Sequence, residues 1–274
     1  MRKLGGEALV QALQQPPGKP VSLPDEQASR TWGWEEDDAK STLAANRRRL
    51  DDLQYKLSAD GRYALLVVLQ AIDAGGKDGT IRRVMSAFSP QGCTVTSFKT
   101  PSAEELKHDF LWRIHKRVPA RGEIGVFNRS HYEDVLIARV DKLVPRPVWM
   151  QRFTHINHFE HMLTENGVRV VKLFLHISKA EQRKRFEARL KEPRKHWKFG
   201  PEDLEKRKQW NAYRRAFEDA LTRCGTHWAP WYVVPADRKW FRNLAVSEIL
   251  VSELERLPLR FPPPRFDPAK VSLV

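Results

Sequence analysis

Cysteine and long hydrophobic runs are both scarce in this chain of 274 residues. Its two cysteines, Cys93 and Cys224, cannot build a disulfide framework, and we therefore expect a reducing, cytoplasmic location. The longest apolar run, at residues 64–69, is far shorter than the roughly 20 residues that span a bilayer. The N-terminal residues contain no sustained apolar segment of the kind that a secretory signal peptide needs. These absences predict a chain that does not cross a membrane.

Acidic residues are also few relative to basic ones. The chain has 48 Lys and Arg against 34 Asp and Glu, which gives a formal net charge of +14. Such a charge indicates a polyanionic partner: nucleic acid, an anionic membrane surface or a phosphate-rich substrate. Residues 179–215 contain 14 Lys and Arg against 6 Asp and Glu, so more than half of the excess lies in one segment.

Hydrophobic residues make up 41 % of the chain, which is sufficient for a folded core. They lie in short runs that alternate with helix-like segments, a pattern typical of an α/β fold with a mostly parallel sheet. We predict one domain over residues 31–258, an irregular N-terminal arm over residues 1–30 and a Pro-rich tail over residues 259–274. The five predicted strands cover residues 63–72, 93–98, 123–127, 168–177 and 231–234.

A glycine-rich segment, DAGGKDGT at residues 73–80, directly follows the first predicted strand and precedes a predicted helix. In this arrangement backbone N–H groups cradle phosphate oxygens, and Lys77 would reach the transferring phosphate. Ala71 stands where the common phosphate-loop motif has its first glycine, and Asp78 replaces the Ser or Thr that binds magnesium. The alternative is a tight turn whose glycines only satisfy geometry. The residues predicted to bind phosphate here are Ala74, Gly75, Gly76, Asp78, Gly79 and Thr80, besides Lys77.

The third predicted strand is followed by NRSHYED at residues 128–134. Arg129 would lie at the carboxyl end of a strand, where ligands of open α/β sheets bind. The carboxylates of Asp73, Glu133 and Asp134 are the candidate metal ligands. The alternative is a capped helix start in which Glu133 and Asp134 favour the helix dipole.

The basic segment at residues 179–215 reads as two helices around a break near residues 192–201, and we interpret it as a lid over a bound anion. Arg185 and Arg189 share a helix face, and Lys195 and Lys198 lie in the break. A solvated basic face and a nucleic-acid surface with interleaved aromatic residues are the alternatives.

Four segments, taken together, resemble the polyphosphate kinase 2 family. They read QAIDAGGKDGTIRRV, DFLWRIHKRVPARGEIGVFNRSHYEDVLIARV, EPRKHWKFGPEDLEKRKQWNAY and APWYVVPADRKWFRN, and they occur in the family's order over most of residues 40–245. The resemblance implies a three-layer α/β/α phosphate-loop kinase with a helical lid, similar to thymidylate kinase. It further implies Mg²⁺, with Mn²⁺ as an alternative, and inorganic polyphosphate as donor to adenine nucleotides. A homodimer or homotetramer is expected, without a nucleic-acid or membrane partner.

The resemblance also implies roles for individual residues. Asp73, Lys77 and Arg129 match the catalytic residues of the family, and Arg185, Arg189, Lys195 and Lys198 match its basic lid residues approximately. Asn128, Tyr132 and Glu133 are then expected to contact the nucleotide. Asn128 departs from the Asp found in many members, and with HYED it resembles the subclass that acts on both AMP and ADP. An ATP-dependent nucleotide kinase and a basic nucleic-acid-binding protein stay as alternatives.

Overall fold

A five-stranded sheet forms the centre of the structure, a computed structural model that describes residues 3–267 and 270–271. Every strand pairing in it is parallel, and the strand order is β2-β3-β1-β4-β5. The predicted α/β class and all five predicted strands are confirmed. The strands are β1 Ala64–Gln70, β2 Cys93–Ser97, β3 Ile124–Asn128, β4 Val168–His176 and β5 Trp231–Pro235.

Helices pack on both faces of the sheet, which gives three layers. The helices of the described residues are α1 Gly6–Leu13, α2 Glu36–Asp60, α3 Lys77–Arg83, α4 Trp112–His115, α5 Ile137–Val140, α6 Arg146–Glu165, α7 Lys179–Lys191, α8 Pro201–Lys208, α9 Trp210–Arg223 and α10 Lys239–Glu255. Short 3-10 helices cover Asp25–Ser29, Met85–Ala87, Glu105–Lys107, His131–Asp134 and Pro193–Lys198. None of the described helices combines the length and the apolar character that crossing a bilayer requires.

The central strand β1 is buried along its whole length because it has a helical layer on each face. Its alternate residues enter different cores. Leu65 and Val67 pack with α2 and α10, whereas Leu66 and Val68 pack with α6 and α9. A strand buried on both faces reads as a continuous apolar run, which explains why the sequence pattern identified it.

The N-terminal residues differ from the prediction of an irregular arm. Helix α1 buries Leu9, Val10 and Leu13 in the same core as α10. The chain then runs along β5, where the amide of Gln15 donates to the carbonyl of Trp231 over 2.9 Å. This segment covers an otherwise open sheet edge, a contact that joins residues far apart in the chain and has no local sequence signal.

The segment after β3 forms two short helices, whereas the described part of the tail forms none. The 3-10 helix His131–Asp134 and α5 are separate, because the backbone leaves helical geometry at Leu136. The tail has no helix or strand over residues 258–267, and the rest of that prediction, at 268, 269 and 272–274, lies outside the described residues.

The packing of α1 generates a stability prediction. Leu13→Ala should lower the free energy of unfolding by about 2–5 kcal/mol, since the side chain is fully buried and its loss leaves a cavity. Urea denaturation measures the change, and Gln11→Ala, at an exposed position of the same helix, is the matched control. Equal unfolding midpoints for the two variants would contradict the packing of this helix.

Candidate functional site

The loop between β1 and α3 is held in a constrained conformation. A Cβ atom on Gly75 would lie 2.4 Å from the Cβ of Ala71 and 2.8 Å from the carbonyl oxygen of Ile72, so only glycine fits there. Gly76 has a φ of +103°, and Ala74, although not a glycine, has a φ of +64°. Backbone strain of this kind at a non-glycine residue is concentrated at functional sites.

Arg129 extends from the neighbouring strand toward this loop. In the β1–β3 register Leu69 is paired with Asn128, and the amide of Arg129 donates to the carbonyl of Leu69 over 3.1 Å. Arg129 also has a positive φ, +64°. This turn of the backbone brings its guanidinium to the Asp73 carboxylate at 3.2 Å. The two residues therefore form an ion pair between the loop after β1 and the turn after β3.

Asp73 is surrounded by positive charge. Lys206 of α8 lies 3.8 Å from its carboxylate, and Gln182 of α7 donates to its carbonyl over 2.9 Å. Burial by itself raises the pKa of Asp73, but the charges of Lys77, Lys206 and Arg129 outweigh it and hold the pKa below its ordinary value. Asp73 is therefore ionised at neutral pH.

Lys77 is the first residue of α3, and its ammonium group donates to the carbonyl of Ala71 over 3.2 Å. Burial lowers the pKa of this ammonium group, an effect that Asp73 opposes and Arg129 strengthens. Removal from water strengthens the field of the charge at the loop, which suits a group that neutralises phosphate oxygens.

A cleft opens between the loop, α5 and the helices of the basic segment. Its wall is charged where Asp73, Arg129, Glu133 and Lys206 meet and apolar toward α5 and α9. The lining residues are Ala71, Ile72, Asp73, Arg129, Glu133, Leu136, Ile137, Gln182, Lys206, Tyr213 and Phe217.

The basic segment forms helices over the loop, as predicted, with the 3-10 helix Pro193–Lys198 as the break. Arg185 donates to the carbonyl of Ala74 over 2.8 Å, and the ammonium of Lys198 lies 3.7 Å from Asp78. Arg189 donates to the carbonyl of Lys198 over 3.0 Å and contributes to the field at Asp73. Lys195 forms an ion pair with Glu192 within the break.

Asn128, Thr80 and Gly79 also make contacts at the loop. Asn128 donates to Asp78 over 3.0 Å, which joins the end of β3 to the start of α3. The Thr80 hydroxyl donates to the carbonyl of Gly76 over 3.1 Å, so its hydrogen bond is made to the backbone at the start of α3. Gly79 packs against the guanidinium of Arg242.

The structure corrects two of the predicted roles. Tyr132, expected to contact the nucleotide, is fully buried, and its hydroxyl donates to Glu160 over 2.8 Å. Asp134, expected to bind metal, is paired with Arg152 at 3.0 Å and does not line the cleft. Both side chains leave the site because the 3-10 turn at His131–Asp134 directs successive residues to different sides.

Sequence reasoning missed three polar residues of the cleft, Gln182, Lys206 and Tyr213. Lys206 was part of the basic segment, but its position facing Asp73 depends on how α8 packs. Gln182 and Tyr213 carry no motif, although the helical spacing of Gln182 and Arg185 on α7 is a signal that could have indicated a shared face.

A buried polar network lies directly behind the segment that carries Arg129. Lys172 of β4 has no exposed surface and donates to Glu160 of α6, to the Tyr132 hydroxyl and to the carbonyl of Cys224. Glu160 also bonds to His131 at 3.1 Å. Because His131 and Tyr132 belong to the turn after Arg129, this network anchors that turn to the core.

The carboxylates at the cleft fit a magnesium–phosphate site. In the described residues no three His, Cys, Asp or Glu side chains gather as a metal cluster, so the protein offers no cage of its own. Mg²⁺ in phosphoryl-transfer sites is held by one or two carboxylates together with substrate phosphates. Asp73, which is ionised, and Glu133 of the same cleft meet that requirement.

Four features together define the class of phosphate-loop kinases. They are a parallel sheet, a constrained glycine loop after its central strand, cations on the elements next to that loop, and a helical lid. Comparison with known proteins gives the family. Residues 33–260 match the family described as Polyphosphate kinase 2 (PPK2), so the chain belongs to it.

Individual relatives agree with this assignment. The AMP/ADP-polyphosphate phosphotransferase of Meiothermus ruber is 51 % identical over 233 residues, which are 85 % of this chain and 87 % of the relative. The ADP-polyphosphate phosphotransferase of Rhodopseudomonas palustris is 50 % identical over 232 residues, 80 % of each chain. The crystal structure of Polyphosphate Kinase 2 from Arthrobacter aurescens TC1 has a TM-score of 0.92, at 42 % identity over 98 % of this chain and 97 % of that one.

The buried network generates a prediction about stability. Lys172→Met should lower the free energy of unfolding by about 3–5 kcal/mol, because it leaves the Glu160 carboxylate buried without its cation. Arg183→Met breaks the exposed pair with Glu187 and should change the free energy of unfolding by less than about 1 kcal/mol. Chemical denaturation of both variants is the measurement. A loss at Lys172 no larger than at Arg183 would show that the network does not anchor the turn.

Proposed function

We propose that the protein transfers the terminal phosphoryl group of inorganic polyphosphate to AMP and to ADP. The observation that carries the proposal is the convergence of Lys77, Arg129 and Lys206 on Asp73 at the glycine loop, beside a cleft with an apolar end. The family assignment and the names of the relatives support the donor and the acceptors.

The chemistry requires positioning and charge neutralisation more than covalent participation of the protein. A phosphate oxygen of the acceptor attacks the terminal phosphorus of the donor. The bond from that phosphorus to its bridging oxygen breaks, and the shortened chain keeps the electron pair. Lys77 and Arg129 neutralise charge on the transferring group, and Asp73 fixes the position of Arg129.

The lining of the cleft suits a nucleotide acceptor because the cleft has two chemically different ends. Asp73, Arg129 and Lys206 form the charged end, where the nucleotide phosphates would bind. Tyr213 and Phe217 belong to the apolar end, which suits the flat face of a base. Glu133 lies at the same cleft, and we propose that it contacts the nucleotide together with Asn128 at the loop.

Magnesium belongs to the same proposal. Asp73 and Glu133 would hold Mg²⁺ together with substrate phosphates, and the ion would supply further neutralisation of phosphate charge. The roles of Arg185, Arg189, Lys195 and Lys198 as a basic track for the donor, the cytoplasmic location and the homodimeric or homotetrameric state stay predictions.

The deciding experiment supplies purified protein with Mg²⁺, long-chain polyphosphate and AMP, without ATP, and separates the products by ion-exchange chromatography. We expect ADP first and ATP later. Formation of ATP from ADP but no product from AMP would remove AMP as an acceptor. Product that forms only when ATP is the donor would overturn the polyphosphate proposal in favour of an ordinary nucleotide kinase.

Lys77→Ala tests the loop. The rate of transfer should fall by about 10² or more, because a charge that stabilises the transition state is removed. Lys40→Ala, which removes an exposed lysine paired with Glu36, should retain the wild-type rate. Circular dichroism confirms that both variants are folded. An unchanged rate for Lys77→Ala would refute phosphoryl transfer at this loop.

A further inference from the structure

Arg242 of α10 lies against the glycine loop, although no predicted role was given to it. Its side chain is 3 % exposed. A Cβ atom on Gly76 would lie 2.1 Å from its Nη1 atom, and one on Gly79 would lie 3.2 Å from its Nη2 atom. The two glycines therefore leave the space that the guanidinium occupies.

This buried guanidinium has no carboxylate to neutralise it. Its Nε and Nη2 atoms donate to the amide oxygen of Asn243 over 3.2 and 2.8 Å, and no Asp or Glu of the described residues pairs with it. Its Nη1 atom donates to no acceptor there. Arg185, its neighbour, has the Glu181 carboxylate at 2.8 Å and is therefore compensated.

An uncompensated buried charge is costly for the folded protein. Burial, and then the charge of Arg185, lower the pKa of Arg242 to about 10, so it stays protonated at neutral pH. Arg113 is the other strongly buried arginine of the described residues, and it also binds a loop. Its guanidinium lies 3.5 Å from the Glu105 carboxylate and donates to the carbonyl of Lys99 over 2.8 Å. Arg113 is therefore neutralised within the protein and supports the fold. Arg242 has no counter-charge among the described residues, so its guanidinium is available to an anion.

The position of Arg242 separates it from the acceptor cleft. Arg185 donates to the carbonyls of Ala74 in the loop and of Ala236 and Asp237 after β5, which places the guanidinium pair between these two segments. In the sheet, β5 lies on one side of β1, whereas β3, which carries Arg129, lies on the other. The loop thus has the Asp73 cleft on one side and Arg242 on the other.

We propose that Arg242 binds a phosphate oxygen of the polyphosphate donor on the β5 side of the glycine loop. The inference rests on the proposed function and assigns a donor contact within it. The terminal phosphoryl group lies at Lys77 and Arg129, and an inner phosphate of the same chain meets Nη1 of Arg242. Asn243 orients the guanidinium for this contact. A bound donor thereby supplies the negative charge that the protein itself does not place there.

Arg242→Met tests the proposal because it separates binding from stability. The KM for polyphosphate should rise by about tenfold with the KM for AMP within about twofold, since the charge-assisted bond reaches only the donor. The melting temperature should stay level or rise, because an apolar side chain of similar length replaces an unpaired buried charge. Arg242→Lys should recover part of the donor affinity. Arg238→Gln removes an exposed charge one turn earlier on the chain and should leave both KM values unchanged.

Calorimetric titration with tripolyphosphate, without nucleotide, measures donor binding independently of turnover. Wild-type protein and Arg238→Gln should bind equally, and Arg242→Met about tenfold more weakly. Equal binding by Arg242→Met, or a parallel rise of both KM values with a lower melting temperature, would overturn the proposal and leave Arg242 a structural support of the loop. Wild-type binding of tripolyphosphate without any transfer from polyphosphate would refute the proposed function, while the comparison of variants still decides the role of Arg242.

Discussion

The ion pair between Asp73 and Arg129 is the contact on which the arrangement of the site depends. It joins the loop after β1 to the turn after β3, and Lys206 brings the lid to the same carboxylate. Without that negative charge, the cations around it would repel one another across a short distance. Asp73 therefore allows the chain to concentrate positive charge at the place where we propose that phosphate oxygens bind. Such preorganisation is the main source of catalysis in phosphoryl transfer.

The strained backbone at Arg129 persists because the residues after it are held from behind. Glu160 and Lys172 form a fully buried ion pair, and the turn residues His131 and Tyr132 bond to the same carboxylate. A positive φ at a non-glycine residue is kept only where the surroundings determine it more strongly than local preference does. The interior of the protein thus sets the direction of a side chain at its surface.

The positive charges on the two sides of the glycine loop differ in whether a carboxylate neutralises them. On the β3 side it is balanced by Asp73, and the cleft there suits an acceptor that brings only a few charges. On the β5 side Arg242 has no carboxylate in the described part of the chain, which suits a donor whose every phosphate is charged. In the proposed reaction this asymmetry gives the two substrates chemically different surroundings, although both meet at the same loop.

The sequence by itself determined the sheet, the loop and the family. A strand buried on both faces needs a continuous apolar run, and the glycines, Asp73 and Lys77 follow that run directly, so local order was sufficient to identify them. The roles predicted for Tyr132 and Asp134 were wrong. In a short turn, a shift of one position along the chain decides whether a side chain faces the cleft or the core. Lys206 and Arg242 join the loop only through contacts between segments far apart in the chain. Tertiary packing alone decided which charges are paired and which stay free, because pairing depends on distances that no sequence pattern records.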